Sequence, residues 1–323
     1  MPRGKSDGFT LESIAGDLTR LGPERVEFMG YTHNTTTSNC WKIVTDSSLQ
    51  AGNHDLCFEL VSPVLKGDGE RGLAQLRSIM DNVRSLGIAT NASCGFHVHA
   101  DAEEEQQSVL ANLDALKSIS QCFVSLENAF DLLVTKNDTG TETETETRRT
   151  NRNQYCQSNR LAFGRMSNKQ RWNRIASAQS RGQLVRMMNP QYDRYRKLNL
   201  VNLTKHDRPS TCEFRHHGGV QDLQEAEAWV RLVLLFCQNA ATTTGDRTTS
   251  KEICLLSEEA SVKDELRALF DLVGCQGLEQ VFTVDRKLFA DKVIRNEWSC
   301  RVCKREFANS RSLSQHCEAL GHT

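Results

Sequence analysis

Ser93-Cys94-Gly95-Phe96-His97-Val98-His99, followed by Ala100-Asp101, is the stretch around which the rest of the chain is arranged. Alternate side chains of a strand point to the same face, so His97 and His99 project side by side, with conformationally permissive Gly95 just ahead of them. Two imidazoles presented in this way suit a metal ion or a nucleotide. They equally suit two half-exposed strand histidines, and the neighbouring segments decide between these readings.

On the N-terminal side, residues 10–20 read as a short helix. Residues 25–31, 40–45 and 55–61 read as strands, the second stopped by Asp46-Ser47-Ser48 and the third by Ser62-Pro63. Each strand carries or adjoins a carboxylate: Glu27, Asp46 and Glu59. Between them and the histidine stretch, Leu73, Leu76, Ile79, Met80, Val83 and Leu86 recur at helical spacing, and Gly87 supplies a stop.

On the C-terminal side, Asp101 with Glu104 three residues later predicts a capping box for a long helix running to about residue 134. Residues 136–153 hold Thr-Glu repeats and then Arg148, Arg149 and Arg152, a composition that cannot bury a core and predicts an exposed loop or disordered insertion. Residues 167–189 read as mostly helical up to Pro190, and residues 194–200 as a strand. In Thr211-Cys212-Glu213-Phe214-Arg215-His216-His217 a strand places Glu213 and Arg215 on one face and Cys212, Phe214 and His216 on the other. A carboxylate beside a guanidinium can be a plain ion pair. In an active site the two can also divide the work of holding a metal and an anion. Amphipathic helices follow at 222–240, 258–273 and 286–295.

The chain of 323 residues is 38% hydrophobic, enough for a substantial core, and its net charge of −1 leaves any nucleic-acid or membrane attraction to local patches. Twelve cysteines spread over this length, behind a polar start without the apolar stretch of a signal peptide, predict a reducing compartment, cytoplasm or nucleus. No apolar run approaches the length that spans a bilayer, so no membrane partner is expected.

Taken in order, Trp41 with Thr45-Asp46-Ser47-Ser48, Phe58-Glu59-Leu60-Val61-Ser62-Pro63, Ser93 to His99, Lys197-Leu198-Asn199-Leu200 and Thr211 to His217 resemble the amidoligases. That family comprises ATP-dependent carboxylate–amine ligases sharing the catalytic fold of glutamine synthetase and glutamate–cysteine ligase. The resemblance covers roughly residues 22–240. It implies an α+β fold, a curved antiparallel sheet flanked by helices, whose concave face binds ATP and Mg²⁺. It also implies Glu27, Asp46, Glu59, His97 and Glu213 as Mg²⁺ ligands, an oxygen-rich set that suits a hard cation. His99 and Lys197 would then lie toward the nucleotide. Arg215 would stabilise the transferring phosphoryl group or the substrate carboxylate, with Glu213 and His97 completing the catalytic set. The substrates implied are a carboxylate and an amine, from an amino acid, a peptide or a protein.

One block departs from the family. Its first strand reads Gly-x-Glu-x-Glu, whereas this chain has Gly22-Pro23-Glu24-Arg25-Val26-Glu27. Matching Glu27 to the second glutamate puts Arg25 where the first belongs; matching Glu24 to the first requires an extra residue. The alternative function is therefore a catalytically weak or inactive ligase-fold scaffold acting as a nucleic-acid- or protein-binding zinc-finger protein.

The far end carries Cys300-x2-Cys303-x12-His316-x5-His322, the ligand order and spacing of a two-Cys two-His zinc finger, with Phe307 and Leu313 as its small apolar core. Two thiolates and two imidazoles close a tetrahedral site, so the zinc is structural, in a small ββα unit. A lone finger reads only about three base pairs in its usual docking mode, which leaves RNA, DNA or protein contact as its role. The organisation predicted is an N-terminal segment at 1–21, a catalytic domain at 22–245 containing the loop 136–153, a helical extension at 246–297 and the finger at 298–323. The full chain is expected to retain zinc through dialysis and to lose it when Cys300 and Cys303 are both changed to serine, as read by elemental analysis. Equal zinc in the two proteins would remove the finger.

Overall fold

The computed structural model describes residues 10–30, 39–50, 56–65, 70–91, 93–102, 110–134, 154–207, 209–242, 253, 256 and 260–274. The loop expected at 136–153, the helix expected at 286–295 and the zinc ligands Cys300, Cys303, His316 and His322 lie outside these residues. The elements are α1 (Leu11–Leu21), β1 (Val26–Gly30), β2 (Trp41–Val44), β3 (Glu59–Val61), α2 (Glu70–Ser85), β4 (Gly95–Asp101) and α3 (Leu113–Val134). They continue with α4 (Asn168–Ala176), α5 (Arg181–Met188), β5 (Leu198–Asn199), β6 (Thr211–Gly218), α6 (Leu223–Ala241) and α7 (Val262–Val273). No helix among the described residues is long and apolar enough to cross a membrane.

The architecture is α+β, and among the described residues the strands form two three-stranded sheets, where the resemblance implied one curved antiparallel sheet. The first has the order β1-β2-β3, with β1 and β2 parallel (Val26 opposite Trp41) and β2 and β3 antiparallel (Val44 opposite Glu59). The second has the order β4-β6-β5 and is antiparallel throughout. Strand β3 is short because Pro63 has no N–H to continue a ladder, which limits how far the first sheet can extend.

Alternation sets what each sheet buries. Phe28, Ile43 and Leu60 share one face of the first sheet and pack with Ile14, Leu18 and Ile79 of α1 and α2. In the second, Val98, Cys212, Phe214 and Leu198 face α3 and α6. There Phe130 meets Phe236 edge-on at 5.0 Å, and His216 meets Trp229 at 4.8 Å. Phe96 and Val230 touch both cores and so join the two sheets. The opposite faces carry the charged residues.

Three local expectations are corrected. Asp101 is the last residue of β4, opposite Thr211, rather than a helix cap; α3 starts at Leu113, with the Asn112 side chain accepting from the Ala115 N–H at 2.7 Å. A ladder with a long-range partner prevails here over a local capping preference. The helix expected at 167–189 divides into α4 and α5, because the Ser180 hydroxyl accepts from Gln183 N–H at 3.2 Å and caps a second start. The strand expected at 194–200 shortens to Leu198–Asn199, since its earlier residues pair with another segment: Gln157 N–H donates to Tyr195 O at 2.7 Å, and Lys197 N–H to Gln157 O at 3.0 Å.

Beneath β5, Lys197 is completely buried (0% exposed). Its ammonium lies 2.5 Å from Asp131 Oδ2 and 3.3 Å from Glu127 Oε1, both on α3. Burial lowers the lysine, and the two carboxylates outweigh it, raising the group above its ordinary value. Glu127 also accepts from Arg160 N–H at 2.8 Å, and the Arg160 guanidinium reaches Glu265 of α7 at 3.2 Å. One buried ionic network thus ties β5, α3 and α7 together. Removing one partner from a buried pair strands the other charge, so Lys197→Ala should cost about 3–5 kcal/mol in urea unfolding. Lys197→Met should recover little of that loss, because Glu127 remains buried and charged. A loss under about 1 kcal/mol would contradict this role.

Candidate active site

The site is assembled on the polar face of the second sheet. His99 of β4 stands directly opposite Glu213 of β6, and Asn199 of β5 stands opposite Glu213 on its other side. Between Phe96 and Val98 the register slips, so Arg215 and His216 together oppose His97. A bulge of this kind re-aims the side chains around it. The result is that His97 and His99 both reach Glu213: His97 Nδ1 lies 3.4 Å and His99 Nε2 3.7 Å from Oε1. The Arg215 guanidinium also donates to Oε1, and the Asn199 amide donates to Oε2 at 2.6 Å. His99 is oriented from its other nitrogen, Nδ1, 3.0 Å from the Thr211 hydroxyl.

Glu213 is 4% exposed. Burial by itself would raise its carboxyl; His99, Arg215 and His97, together with the Asn199 hydrogen bond, outweigh burial and hold it down at about 2. Glu59 shifts in the opposite direction. Its side chain reaches solvent, with protein packed around it. Burial raises its carboxyl, Asp46 and Glu213 raise it further by repulsion, and Arg215 and Arg194 lower it in part. Glu59 of the first sheet thus feels two other carboxylates, Asp46 just past β2 and Glu213 of the second sheet.

The remaining candidates are placed differently. Asp46 is held locally, accepting from the Ser48 N–H at 2.8 Å and the Ser48 hydroxyl at 2.9 Å. Glu27 forms an ion pair with Arg25, the residue at the divergent position of the first strand. Lys197 lies behind the sheet in its buried triad, and its carbonyl accepts the Arg215 N–H at 2.8 Å. Among the described residues no three His, Cys, Asp or Glu side chains are grouped closely enough to share one ion. The donor chemistry fits a hard divalent cation, which would relieve the repulsion that Glu59 meets from Asp46 and from Glu213.

Sequence reasoning did not single out Asn199, Thr211, Tyr155 or Tyr195. Asn199 was detectable, since it occupies the polar position of Leu198-Asn199-Leu200 beside the strand bearing Glu213. Tyr155 and Tyr195 meet edge-on at 5.3 Å only because residues 154–157 fold back along 195–197, and no local pattern announces that pairing.

Gly95 has a specific reason to be glycine. A Cβ there would stand 2.8 Å from His97 Nε2, a movable ring atom rather than backbone, so Gly95→Ala should displace the imidazole while leaving the fold intact.

With Glu213 held at about 2 against an ordinary 4.5, its contribution to stability is complete above pH 4.5 and is lost as pH falls toward 2. Wild type should therefore lose on the order of 2–3 kcal/mol relative to Glu213→Gln across that interval in urea titrations. Parallel pH profiles for the two proteins would contradict the site's electrostatics.

Comparison with known proteins places the chain in a family. No curated protein matches the chain, and no solved structure matches it. The family described as "Putative amidoligase enzyme" matches residues 7–237, a span that contains every strand described above. The chain belongs to this amidoligase family.

Proposed function

We propose that the protein is an ATP-dependent carboxylate–amine ligase, forming an amide through an acyl-phosphate intermediate. The observation that carries the reading is buried Glu213 held by His97, His99, Arg215 and Asn199, with Glu59 near enough to be repelled by it, in a chain of the amidoligase family. A glutamine-synthetase-like arrangement is the fold relationship that accompanies this proposal.

The chemistry accounts for so much charge in one place. A carboxylate is a poor electrophile, so one of its oxygens first attacks the γ-phosphorus of ATP; the bond to ADP breaks and an acyl phosphate forms. An amine nitrogen then attacks the acyl carbon, the bond to phosphate breaks, and loss of the amine proton leaves the amide. The first step brings anions together, and Arg215 lies where it can offset their repulsion and the charge that develops during transfer. Glu59, Asp46 and Glu213, with Glu27 and the His97 imidazole, would hold Mg²⁺. When bound, the metal would neutralise phosphate charge. His99 lies farther along β4, toward the nucleotide end in this reading. Lys197 would support Arg215 from behind rather than touch the nucleotide. The zinc finger, with its structural Zn²⁺, would serve targeting or assembly through RNA, DNA or protein.

The scaffold reading rests on Arg25, whose ion pair with Glu27 occupies a candidate metal ligand. Phosphate release from ATP by the full chain, with Mg²⁺ and pooled carboxylates and amines, separates the two. Turnover is expected to require both pools and to fall by about 10²-fold or more in Glu213→Gln and His97→Ala, as when a group that stabilises transition-state charge is removed. Gly95→Ala, which only displaces His97, should fall between wild type and His97→Ala. Absence of turnover with every pool, with nucleotide binding unchanged in the variants, would favour the scaffold.

A further inference from the structure

Between residues 154 and 197 the chain carries ten lysines and arginines against one acid, Asp193. With a net charge of −1 for the whole chain, positive charge is concentrated in this segment. Six of the ten cations are committed to the fold. Lys197 meets Glu127 and Asp131, Arg160 meets Glu265, and Arg196 meets Asp193 at 3.4 Å. Arg171 donates to Met166 O, Arg181 donates to Ala102 O at 3.1 Å, and Arg194 lies over the Tyr195 ring. The other four, Arg165, Lys169, Arg174 and Arg186, are exposed and meet no carboxylate among the described residues.

Packing turns these four outward. The 3-10 turn Arg160–Phe163, α4 and α5 lie over α3, and the turn also packs on α5. Ile175, Leu184, Val185 and Met188 fill the inner side of this layer, which leaves Lys169, Arg174 and Arg186 on the outer positions of its two helices. Lys169 stands in the first turn of α4, the positive end of the helix dipole, where a cation is disfavoured and an anion favoured. Neither α4 nor α5 has an acid in its first turn to offset this. An anion seated on the layer would relieve the repulsion.

An exposed aromatic ring adjoins the same layer. Tyr192 is 46% exposed, and the Arg186 guanidinium donates to its hydroxyl at 3.4 Å. Gln191 (φ 60°) and Tyr192 (φ 57°) are consecutive non-glycine residues in the left-handed region, a conformation that the surrounding structure must enforce. Buried Asn189 enforces it, donating to Asp193 O at 3.0 Å and accepting from Leu200 N–H at 3.0 Å, while its carbonyl accepts from Tyr192 N–H at 3.0 Å. The ring is thus presented from a fixed backbone.

We infer that Arg165, Lys169, Arg174 and Arg186, with Tyr192, form a binding surface for single-stranded nucleic acid. The four cations neutralise phosphates without regard to sequence, and a preset tyrosine ring offers an unstacked base a platform. An acidic peptide would use the charges and leave the ring idle. All five residues lie within the span 7–237 that matches the family, outside the zinc-finger region, and none is a partner of Glu213. Nucleic-acid binding and ligation are therefore read independently.

The test is fluorescence anisotropy of the full chain with a labelled single-stranded RNA of mixed sequence, about 15 nucleotides long. Lys169→Gln, Arg174→Gln and Arg186→Gln combined should weaken binding about tenfold or more and reduce the slope of log affinity against log salt by about 2. Tyr192→Leu should weaken binding with the salt slope unchanged, and Tyr192→Phe, which keeps the ring, should restore it. The same losses should appear in a chain already carrying Cys300→Ser and Cys303→Ser. Circular dichroism should show all these surface variants folded. Failure of the full chain to bind the RNA at low salt overturns the surface, as does wild-type affinity in the triple variant. Binding abolished by the cysteine changes alone would assign it to the finger. Equal competition by polyglutamate of matched charge, with Tyr192→Leu indistinguishable from wild type, would assign the surface to an acidic peptide and likewise overturn the inference.

Discussion

A buried carboxylate that stays ionised is the constraint on which this structure turns. Glu213 sits in the middle strand of the second sheet, where water cannot solvate it, so its charge must be met by groups brought from both neighbouring strands. Asn199 arrives from β5, and His97 and His99 from β4, while Arg215 comes from two residues along its own strand. The bulge at His97 belongs to the same requirement, since it lets two alternate histidines address one acid. A site held this tightly is preorganised: its dipoles and charges are oriented before any ligand arrives.

The support behind the site is also ionic. Lys197, Glu127 and Asp131 form a charged group inside the protein, continued through Arg160 to Glu265 on α7. Buried ion pairs of this type are weak evidence for net stability, because desolvation consumes much of the attraction. Their geometry is specific, however, and the backbone of Lys197 is hydrogen-bonded to that of Arg215. The triad therefore fixes the strand that bears Arg215 against α3. The seven cysteines among the described residues form no disulfide, and burial pushes the thiols of Cys156 and Cys212 up to about 12. These two behave as small core residues.

How far the fold could be read in advance depended on the range of the interactions involved. The period-two pattern of 211–217 placed Glu213 and Arg215 opposite Phe214, and the helical spacing of 73–86 placed α2, because both patterns express burial of one face. Asp101 misled, since a capping signal is local and the ladder partner Thr211 lies far along the chain. The strand 194–200 misled in the same way: residues 195–197 pair with 154–157, and no periodicity encodes that partner. The division into two sheets likewise depends on which edges meet.

Residue types and order by themselves carried the resemblance to the amidoligase family, and through it the α+β expectation and the candidate acids, imidazoles and guanidinium, because the order and spacing of chemically distinctive side chains are properties of the chain alone. Only the tertiary structure decided that Lys197 is enclosed behind the sheet, that Glu59 reaches the field of Glu213 from another sheet, and that Tyr155 meets Tyr195. Those relations depend on distances between residues remote in sequence, and such distances are set by packing and pairing, not by local pattern.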